Sequence, residues 1–426
     1  MSSIFAVVND LFFAERLRGA LHHLGHEAAV VDLSLEPLPQ AVPPGAAVAI
    51  IDLEAGEPAI AAIRLAKQGA VPVLAFGPHT DLALREAALA AGADRVVAKS
   101  KLTTSLPELI ATASTPSPRR HQNMRIVIMG SGATGSYFGA KLIQAGCDVT
   151  FIARGAHLQA LQTEGLKVIG LEEFHLPKVT ATNDPATVGP VDVIIFAVKA
   201  YDTDEAACLI RPMVGPQTMV VPIQNGVDSA ARIGAVVGMA HMVGGLCRIS
   251  VDIPAPGAVR LNSNFQELFF GELNGAPSDR TAAFAGALQR AGVTHKVSAE
   301  ITVDIWKKFV FITAMSGITG ATRSAIGPIR ECPETFELYR KLAAEVVAVG
   351  RAEGVALPVD LADVLFEQAK GLAYGMKASL LVDLEKGKRL EVETLQGTVC
   401  RLGRKLGIPT PTMDVIYALI KMNQPK

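Results

Sequence analysis

The strongest constraint on this chain lies in residues 125–154, RIVIMGSGATGSYFGAKLIQAGCDVTFIAR. An apolar, β-branched run, Arg125–Met129, enters a glycine turn, Gly130-Ser131-Gly132-Ala133-Thr134-Gly135. A helical pattern continues through Gln144, a Gly-Cys-Asp break follows, and a second apolar run covers Val149–Ala153. Strand, tight turn, helix and strand within about 30 residues is the setting in which a GxGxxG binds a dinucleotide. Gly130 permits the sharp turn, Gly132 lets backbone N–H groups approach a pyrophosphate, and Gly135 lets the helix pack closely on the strand. Ser131, Ala133 and Thr134 complete the expected cradle, and the helix N-terminus adds open donors and partial positive charge. The second strand ends Phe151-Ile152-Ala153-Arg154-Gly155, without an acid. An acid there suits a ribose 2′-hydroxyl and an arginine suits a 2′-phosphate, so Arg154 points to NADP(H). The competing reading of Arg154 is a solvated loop cation.

The whole chain narrows the remaining classes. With 426 residues there is room for two to four domains, and a formal net charge of −1 offers no basic field for nucleic acid or anionic lipid. The longest apolar stretch, Phe309–Ala321, is too short and too rich in Gly and Thr to span a bilayer. The start, MSSIFAVVND, lacks the basic-then-apolar pattern of a signal peptide, so a cytoplasmic protein is expected. Five scattered cysteines without a CxxC, and nine histidines without an HExxH, predict neither a disulfide framework nor a metal site. The GxSxG elbow and the Walker lysine are missing too, which leaves acyl transfer and ATP hydrolysis unsupported.

Residues 1–113 alternate short apolar runs with helical stretches and predict a doubly wound α/β domain. Asn9, Asp10, Asp52 and Lys99 stand at the carboxyl ends of the expected strands. In that placement the segment resembles the receiver domain of response regulators, which implies Mg²⁺-binding acids, a phosphorylated Asp52 and a phosphoryl-contacting Lys99. Asn9 in place of an acid, Gly77 near the usual Ser or Thr, and no Pro after Lys99 depart from that family, so a scaffold without phosphorylation stays open beside it. Residues 114–123, STPSPRRHQN, read as an exposed linker, with Met124 the natural start of an independent domain.

Residues 124–297 continue as a Rossmann dinucleotide-binding domain. The run Asp192–Val198 suits a buried parallel strand ending in Lys199-Ala200-Tyr201-Asp202, and Thr218–Pro222 suits another ending in Gln224-Asn225-Gly226. Lys199 and Asn225 therefore leave strand ends on the rim that carries the glycine turn. From residue 298 to 426 long helical patterns take over, predicting an all-helical domain. Ile301–Arg323 is apolar nearly all round, with Lys308, Ile312, Ser316, Thr319 and Arg323 recurring on one face. A lysine in so apolar a helix is either a proton donor with a lowered pKa or a snorkelling surface cation. A further helix is expected over Ala378–Arg401, carrying Ser379, Asp383, Glu391 and Glu393, with Gly387 interrupting it.

The separated stretches MRIVIMGSGATGSYFGAKL, VTFIARG, FAVKAYDT, PIQNGV, DIWKKFVF and SLLVDLEKGKRLEVETLQG resemble, in order, the ketopantoate reductase (2-dehydropantoate 2-reductase) family across residues 124–426. The resemblance implies a Rossmann domain followed by a helical domain, and NADPH-dependent reduction of a 2-oxo acid to a 2-hydroxy acid. The most direct expectation is ketopantoate to pantoate in pantothenate biosynthesis. It implies Lys308 as proton donor, Glu391 as the glutamate that positions lysine and substrate hydroxyl, and Ser379 as the carboxylate-binding serine. It also places Asn225 and Lys199 at the cofactor–substrate junction. Ile312, Ser316 and Met376 stand where asparagines are usual in ketopantoate-specific members. Ser316 and Arg323 are the remaining expected substrate contacts, the latter as a bidentate carboxylate ligand. A paralogous reductase for another 2-oxo acid or ketone, and a receiver-linked NADP(H)-sensing protein, remain alternatives. Beyond its small-molecule substrate no partner is predicted, and a homodimer is one option among several.

Overall fold

The computed structural model describes residues 3–69, 71–78, 82–107, 109–110 and 124–425. The chain divides into two compact units, Met1–Arg119 and Arg120–Lys426. The expected linker 114–123 lies outside the described residues.

The first unit runs β1 (Ser3–Val8), α1 (Leu11–His23), β2 (Glu27–Asp32), β3 (Ala46–Asp52), α2 (Glu57–Gln68), β4 (Val73–Gly77), α3 (Leu82–Ala90), β5 (Arg95–Ala98) and α4 (Lys99–Thr104). Its five strands are parallel, in the order β2-β1-β3-β4-β5. That is the flavodoxin-like doubly wound order. Both faces are buried, which is why the strands read as unbroken apolar runs. Ile4, Ala6 and Val8 pack with Phe13, Leu17 and Leu21 of α1, while Phe5 and Val7 pack with Ile60 and Ile63 of α2. Asp10 caps α1 by accepting the Phe13 N–H at 2.8 Å. Asp52 is fully buried at the end of β3 and accepts the Glu54 N–H at 3.0 Å. Lys99, at the carboxyl end of β5 as expected, is also the first residue of α4; its ammonium lies 2.6 Å from Glu54 and 3.9 Å from Asp52. Burial pushes the Asp52 carboxyl up to about 6, against the pull of the Glu54 N–H and Lys99.

The second unit opens with β6 (Arg125–Met129), α5 (Ala133–Gln144), β7 (Asp148–Ile152), α6 (Gly155–Thr163), β8 (Leu166–Gly170), β9 (Phe174–Leu176), β10 (Thr180–Thr182), β11 (Val191–Phe196), α7 (Thr203–Leu209), β12 (Val214–Pro222) and α8 (Ser229–Val237). Two long strands follow, β13 (Gly244–Ala255) and β14 (Ala258–Gly271), then α9 (Asp279–Arg290) and β15 (Thr294–Val297). A parallel sheet of order β10-β7-β6-β11-β12 carries the glycine turn after β6. A second, mixed sheet, β13-β14-β8-β9 with β15 on β14, is absent from the sequence-based expectation. β14 alternates buried and exposed positions over its first half, and β13 is buried at its glycine-containing start and turns polar and exposed beyond it, so neither reads as a long apolar strand. Tyr137 and Phe138 of α5 belong to the same core as Phe151, Phe270 and Phe284, which joins the helix to both sheets.

From Ile301 onward the described chain is helical: α10 (Ile301–Thr322), α11 (Ile326–Glu331), α12 (Pro333–Ala352), α13 (Leu361–Lys370), α14 (Ser379–Glu385), α15 (Gln396–Leu406) and α16 (Pro411–Met422). Helix α10 is surrounded, with Trp306, Phe309, Val310, Met315 and Ile318 sharing a core with Tyr339, Leu342 and Val346 of α12 and Met413, Ile416 and Ile420 of α16. Nowhere among the described residues is a helix long and apolar enough to cross a membrane.

The stretch Ala378–Arg401, expected to be helical with a break at Gly387, is two helices, α14 and α15, and Glu391 lies in the turn between them rather than at the start of the second helix. Gly387 takes φ +64°, and the Lys388 N–H turns back to the Asp383 carbonyl at 2.8 Å. The helix therefore stops as glycine-capped helices do. The packing of α5 is equally specific. A Cβ at Gly135 would collide with the Gly130 carbonyl oxygen and come within 2.7 Å of Ile128, whereas one at Gly132 would meet nothing within 4 Å. Gly135→Ala is expected to lower unfolding free energy by about 1–3 kcal/mol through overpacking. Gly132→Ala should stay within about 0.5 kcal/mol of the parent, as an open surface position does. Urea unfolding of both variants checks the pair.

Candidate active site

Gly130, Arg154, Lys199 and Asn225 follow β6, β7, β11 and β12, and so share the carboxyl edge of one parallel sheet. The strand order reverses between β6 and β11, and the crevice at such a reversal is where open α/β sheets bind ligands. Gly130 has φ +97°, and a Cβ there would approach the Val198 backbone nitrogen to 2.6 Å. Gly132 caps α5 with no side-chain acceptor, leaving the first-turn N–H groups from Ala133, Thr134 and Gly135 as donors for an anion. Ser131 has a different part from the one expected. Its N–H and hydroxyl both donate to the Ile152 carbonyl, at 3.1 and 3.0 Å, so they tie the turn to β7 and are not free for a cofactor. Arg154 is exposed just after β7 and lies 3.6 Å from Glu205.

The loop after β11 is held from several directions. Gln224 donates to the Val198 carbonyl and to Thr203 Oγ1, both at 2.9 Å, and Arg232 donates to the Ala200 carbonyl at 3.2 Å. The Ala200 N–H donates to Glu391 Oε1 at 3.0 Å. The other oxygen of Glu391 lies 3.5 Å from the Lys199 ammonium, which also donates to Asp383 Oδ2 at 2.8 Å. Burial works against the charge of Lys199, but Glu391 and Asp383 outweigh it and hold the ammonium above the usual lysine range. These contacts bring Lys199, on the dinucleotide-type sheet, together with Glu391 and Asp383, on the helical part.

Lys308, on the second turn of α10, has the opposite environment. Desolvation lowers its pKa, and the nearby Arg248 adds to that, against the attraction of Cys247 and Glu391. Among the described residues its ammonium forms no ion pair within 4.0 Å. A lysine so placed gives up a proton more readily than a surface lysine. Cys247 is buried, with its thiol aimed at the Ile223 carbonyl at 3.5 Å, and burial pushes its pKa up.

Asn225 is half-buried next to Gly226, where an added Cβ would come within 2.8 Å of the Thr394 methyl. The loop after β12 thus abuts the segment that holds Glu391. Ser379 is exposed at the first turn of α14, one turn before Asp383.

Two expected substrate contacts do not join this group. The Ser316 hydroxyl is buried, accepting from Gln396 Nε2 at 2.8 Å and donating to the Thr313 carbonyl at 3.3 Å. Arg323 is exposed at the far end of α10, where it donates to Asn423 Oδ1 at 2.7 Å. At roughly 1.5 Å of rise per residue it lies about 22 Å along the helix from Lys308, and Ser316 about 12 Å. Sharing a helix face does not place residues at one site. Asp383, Arg232 and Gln224 are the participants that sequence reasoning missed. Gln224 stands at the strand end beside Asn225 and Asp383 one turn from Ser379, but nothing in the sequence pairs Asp383 with Lys199. Three or more His, Cys, Asp or Glu residues able to hold a metal do not come together among the described residues.

The family described as ketopantoate reductase PanE/ApbA matches residues 126–275, and its C-terminal counterpart matches residues 300–424. A 2-dehydropantoate 2-reductase from Mesorhizobium japonicum is 32% identical over 319 residues, covering 70% of this chain and 97% of that protein. An uncharacterized oxidoreductase, YkpB, from Bacillus subtilis is 29% identical over 299 residues, covering 70% of this chain and 98% of its own length. Among solved structures, a PanE/ApbA family ketopantoate reductase from Ralstonia eutropha superimposes with a TM-score of 0.66 at 31% identity, covering 71% of this chain and 98% of that one. The matched residues carry the glycine turn, the Lys199 loop, Lys308 and Glu391, and the chain accordingly belongs to the ketopantoate reductase PanE/ApbA family, as an oxidoreductase of that family.

Proposed function

We propose that this protein reduces a 2-oxo acid to the corresponding 2-hydroxy acid with NADPH, and that ketopantoate, reduced to pantoate for pantothenate biosynthesis, is the substrate. The observation that carries the proposal is the junction at Glu391, which sets the sheet edge bearing the glycine turn against a helix bearing a desolvated lysine. The open surface at Gly132 and the uncapped first turn of α5 fit the pyrophosphate of a dinucleotide, with Arg154 at the 2′-phosphate and Lys199 and Asn225 toward the nicotinamide end. Arg154 pairs only loosely with Glu205, so its guanidinium is available to a stronger anion.

When bound, the nicotinamide supplies the hydride that makes this chemistry possible. The chain supplies the rest. Negative charge that develops on the carbonyl oxygen is met by the Lys308 ammonium, which transfers its proton there and is left as a neutral amine. Glu391 fixes the Ala200 peptide and Lys199, and its charge favours the protonated form of Lys308. The exposed hydroxyl of Ser379 is the donor assigned to the substrate carboxylate.

A second substrate remains in view for a specific reason. Ile312 and Met376 replace polar groups, and Ser316 is bonded inside the helical core, so less side-chain polarity is on offer than a ketopantoate-specific member presents. A paralogous reductase acting on another 2-oxo acid accommodates that. For the first unit, the strand order and the Asp52–Lys99 proximity support a receiver-like scaffold. The full burial of Asp52 and the hold of Glu54 on Lys99 favour one that does not take up phosphate.

NADPH oxidation measured with ketopantoate and a panel of 2-oxo acids should show turnover with ketopantoate foremost. Turnover with another acid alone moves the substrate, and silence across the panel overturns the reductase assignment. Lys308→Ala should lower kcat by about 10²–10⁴-fold, the usual worth of a positioned acid. Its NADPH dissociation constant, read by fluorescence titration, should change little. Because the depressed pKa of Lys308 makes its protonated form scarce as pH rises, kcat/KM should fall on the alkaline side, with a midpoint below the ordinary lysine value of about 10.4. That limb should vanish in Lys308→Ala. Arg154→Ala should weaken NADPH binding about tenfold, some 1.4 kcal/mol, while NADH binding stays within a factor of about two.

A further inference from the structure

Lys199 lies between two carboxylates that come from the helical part of the second unit. Its ammonium is 2.8 Å from Asp383 and 3.5 Å from Glu391, so Asp383 is the nearer partner. The side chain of Asp383 is 14% exposed against 43% for Lys199, which makes the acid the fixed member of the pair. Helix α14 ends in a glycine cap whose Lys388 N–H bonds to the Asp383 carbonyl, so the backbone of Asp383 is anchored as well. The other groups around Lys199 are Glu391 and the Tyr201 phenol, and Tyr201 is itself covered by the Arg389 guanidinium at 4.3 Å from its ring centre. Unlike Glu391, Asp383 accepts no hydrogen bond from the Ala200 peptide. Its carboxylate accepts from Lys199 and lies close enough to the Tyr201 phenol to add to the upward push that burial gives that pKa.

We propose that Asp383 is a positioning residue of this site: its carboxylate anchors the Lys199 ammonium beside Glu391 and thereby locks the loop after β11 onto the helical part. Without that anchor the flexible lysine stem is free to swing toward solvent, and Glu391 loses a fixed positive neighbour on one oxygen. Glu391 then bonds the Ala200 N–H alone, and the strand-end loop keeps one of its two ties to the turn after α14. The role acts through Lys199 and does not need Asp383 to touch substrate. The inference rests on the reductase reading for its kinetic consequence, while the anchoring itself is independent of it.

Two measurements on the full-length protein separate these. Competitive acetylation with acetic anhydride at pH 9, read by mass spectrometry, reports how protected the Lys199 amine is. Asp383→Asn should raise the labelling rate of Lys199 at least about fivefold relative to the parent, since each unit of pKa lowered exposes roughly ten times more free amine. Labelling of Lys421, which pairs with Glu393, serves as the internal reference. An unchanged Lys199 rate overturns the anchoring, whatever the substrate. The kinetic arm uses kcat and KM for the 2-oxo acid that the parent protein turns over. Asp383→Asn should lower kcat about tenfold, Asp383→Glu should restore it to within about threefold, and Lys199→Met combined with Asp383→Asn should be no worse than Lys199→Met alone. Multiplying losses in the double variant, or failure of glutamate to rescue, overturns the positioning role. If the parent turns over no 2-oxo acid, the reductase reading fails and the labelling arm still decides the contact.

Discussion

Much of the second unit depends on where one buried carboxylate finds its partners. Glu391 is 7% exposed, and a charge taken that far from water is tolerable only when both oxygens are satisfied. One oxygen accepts the Ala200 N–H and the other faces Lys199. Both partners belong to the loop after β11, so meeting the electrostatic demand of Glu391 forces the turn between α14 and α15 against the carboxyl edge of the parallel sheet. Gln224 and Arg232 hold the same loop from the sheet side. The junction is thereby built from hydrogen bonds with direction, and it aligns two parts of the chain that are distant in sequence.

The two lysines at this junction illustrate how environment assigns roles to identical side chains. Lys199 gains more from two nearby acids than it loses to burial, and stays charged. Lys308 loses more to burial than Cys247 and Glu391 return, and its pKa falls. One cation is suited to holding structure or a cofactor, and the other to releasing a proton. Pairs of titratable groups pushed apart in this way are a common physical signature of acid–base sites.

Burial also explains why several polar groups near α10 do not belong to the site. In a helix apolar nearly all round, an inward-pointing hydroxyl is costly without a partner; the Thr313 hydroxyl has none among the described residues, but two others do. Thr319 donates to the Met315 carbonyl at 2.7 Å, and Ser316 is bracketed by Thr313 and Gln396. These bonds commit the Ser316 and Thr319 hydroxyls to the helical core and leave Lys308 as the group of that face nearest the junction. At the other end, Arg323 takes φ +52° and ends the helix.

What the sequence determined on its own is what depends on local pattern. The glycine turn with its flanking strands, the alternation that doubles the first sheet, and the unbroken apolar period of α10 all follow from residues close together in the chain. So do the types of the chemical groups, since a lysine in an apolar helix is unusual wherever it lands. Only the tertiary structure decided which of these meet. The mixed sheet depends on strands that pair across long intervals and carry half-polar faces. The committed hydroxyl and N–H of Ser131 depend on Ile152, 21 residues away. The partnership of Lys199 with Asp383 spans 184 residues. The exclusion of Arg323 depends on axial distance along a helix, which a face-sharing pattern does not encode. Periodicity reports which side a residue lies on. Distance, and therefore electrostatics and chemistry, is set by packing between segments that the sequence leaves far apart.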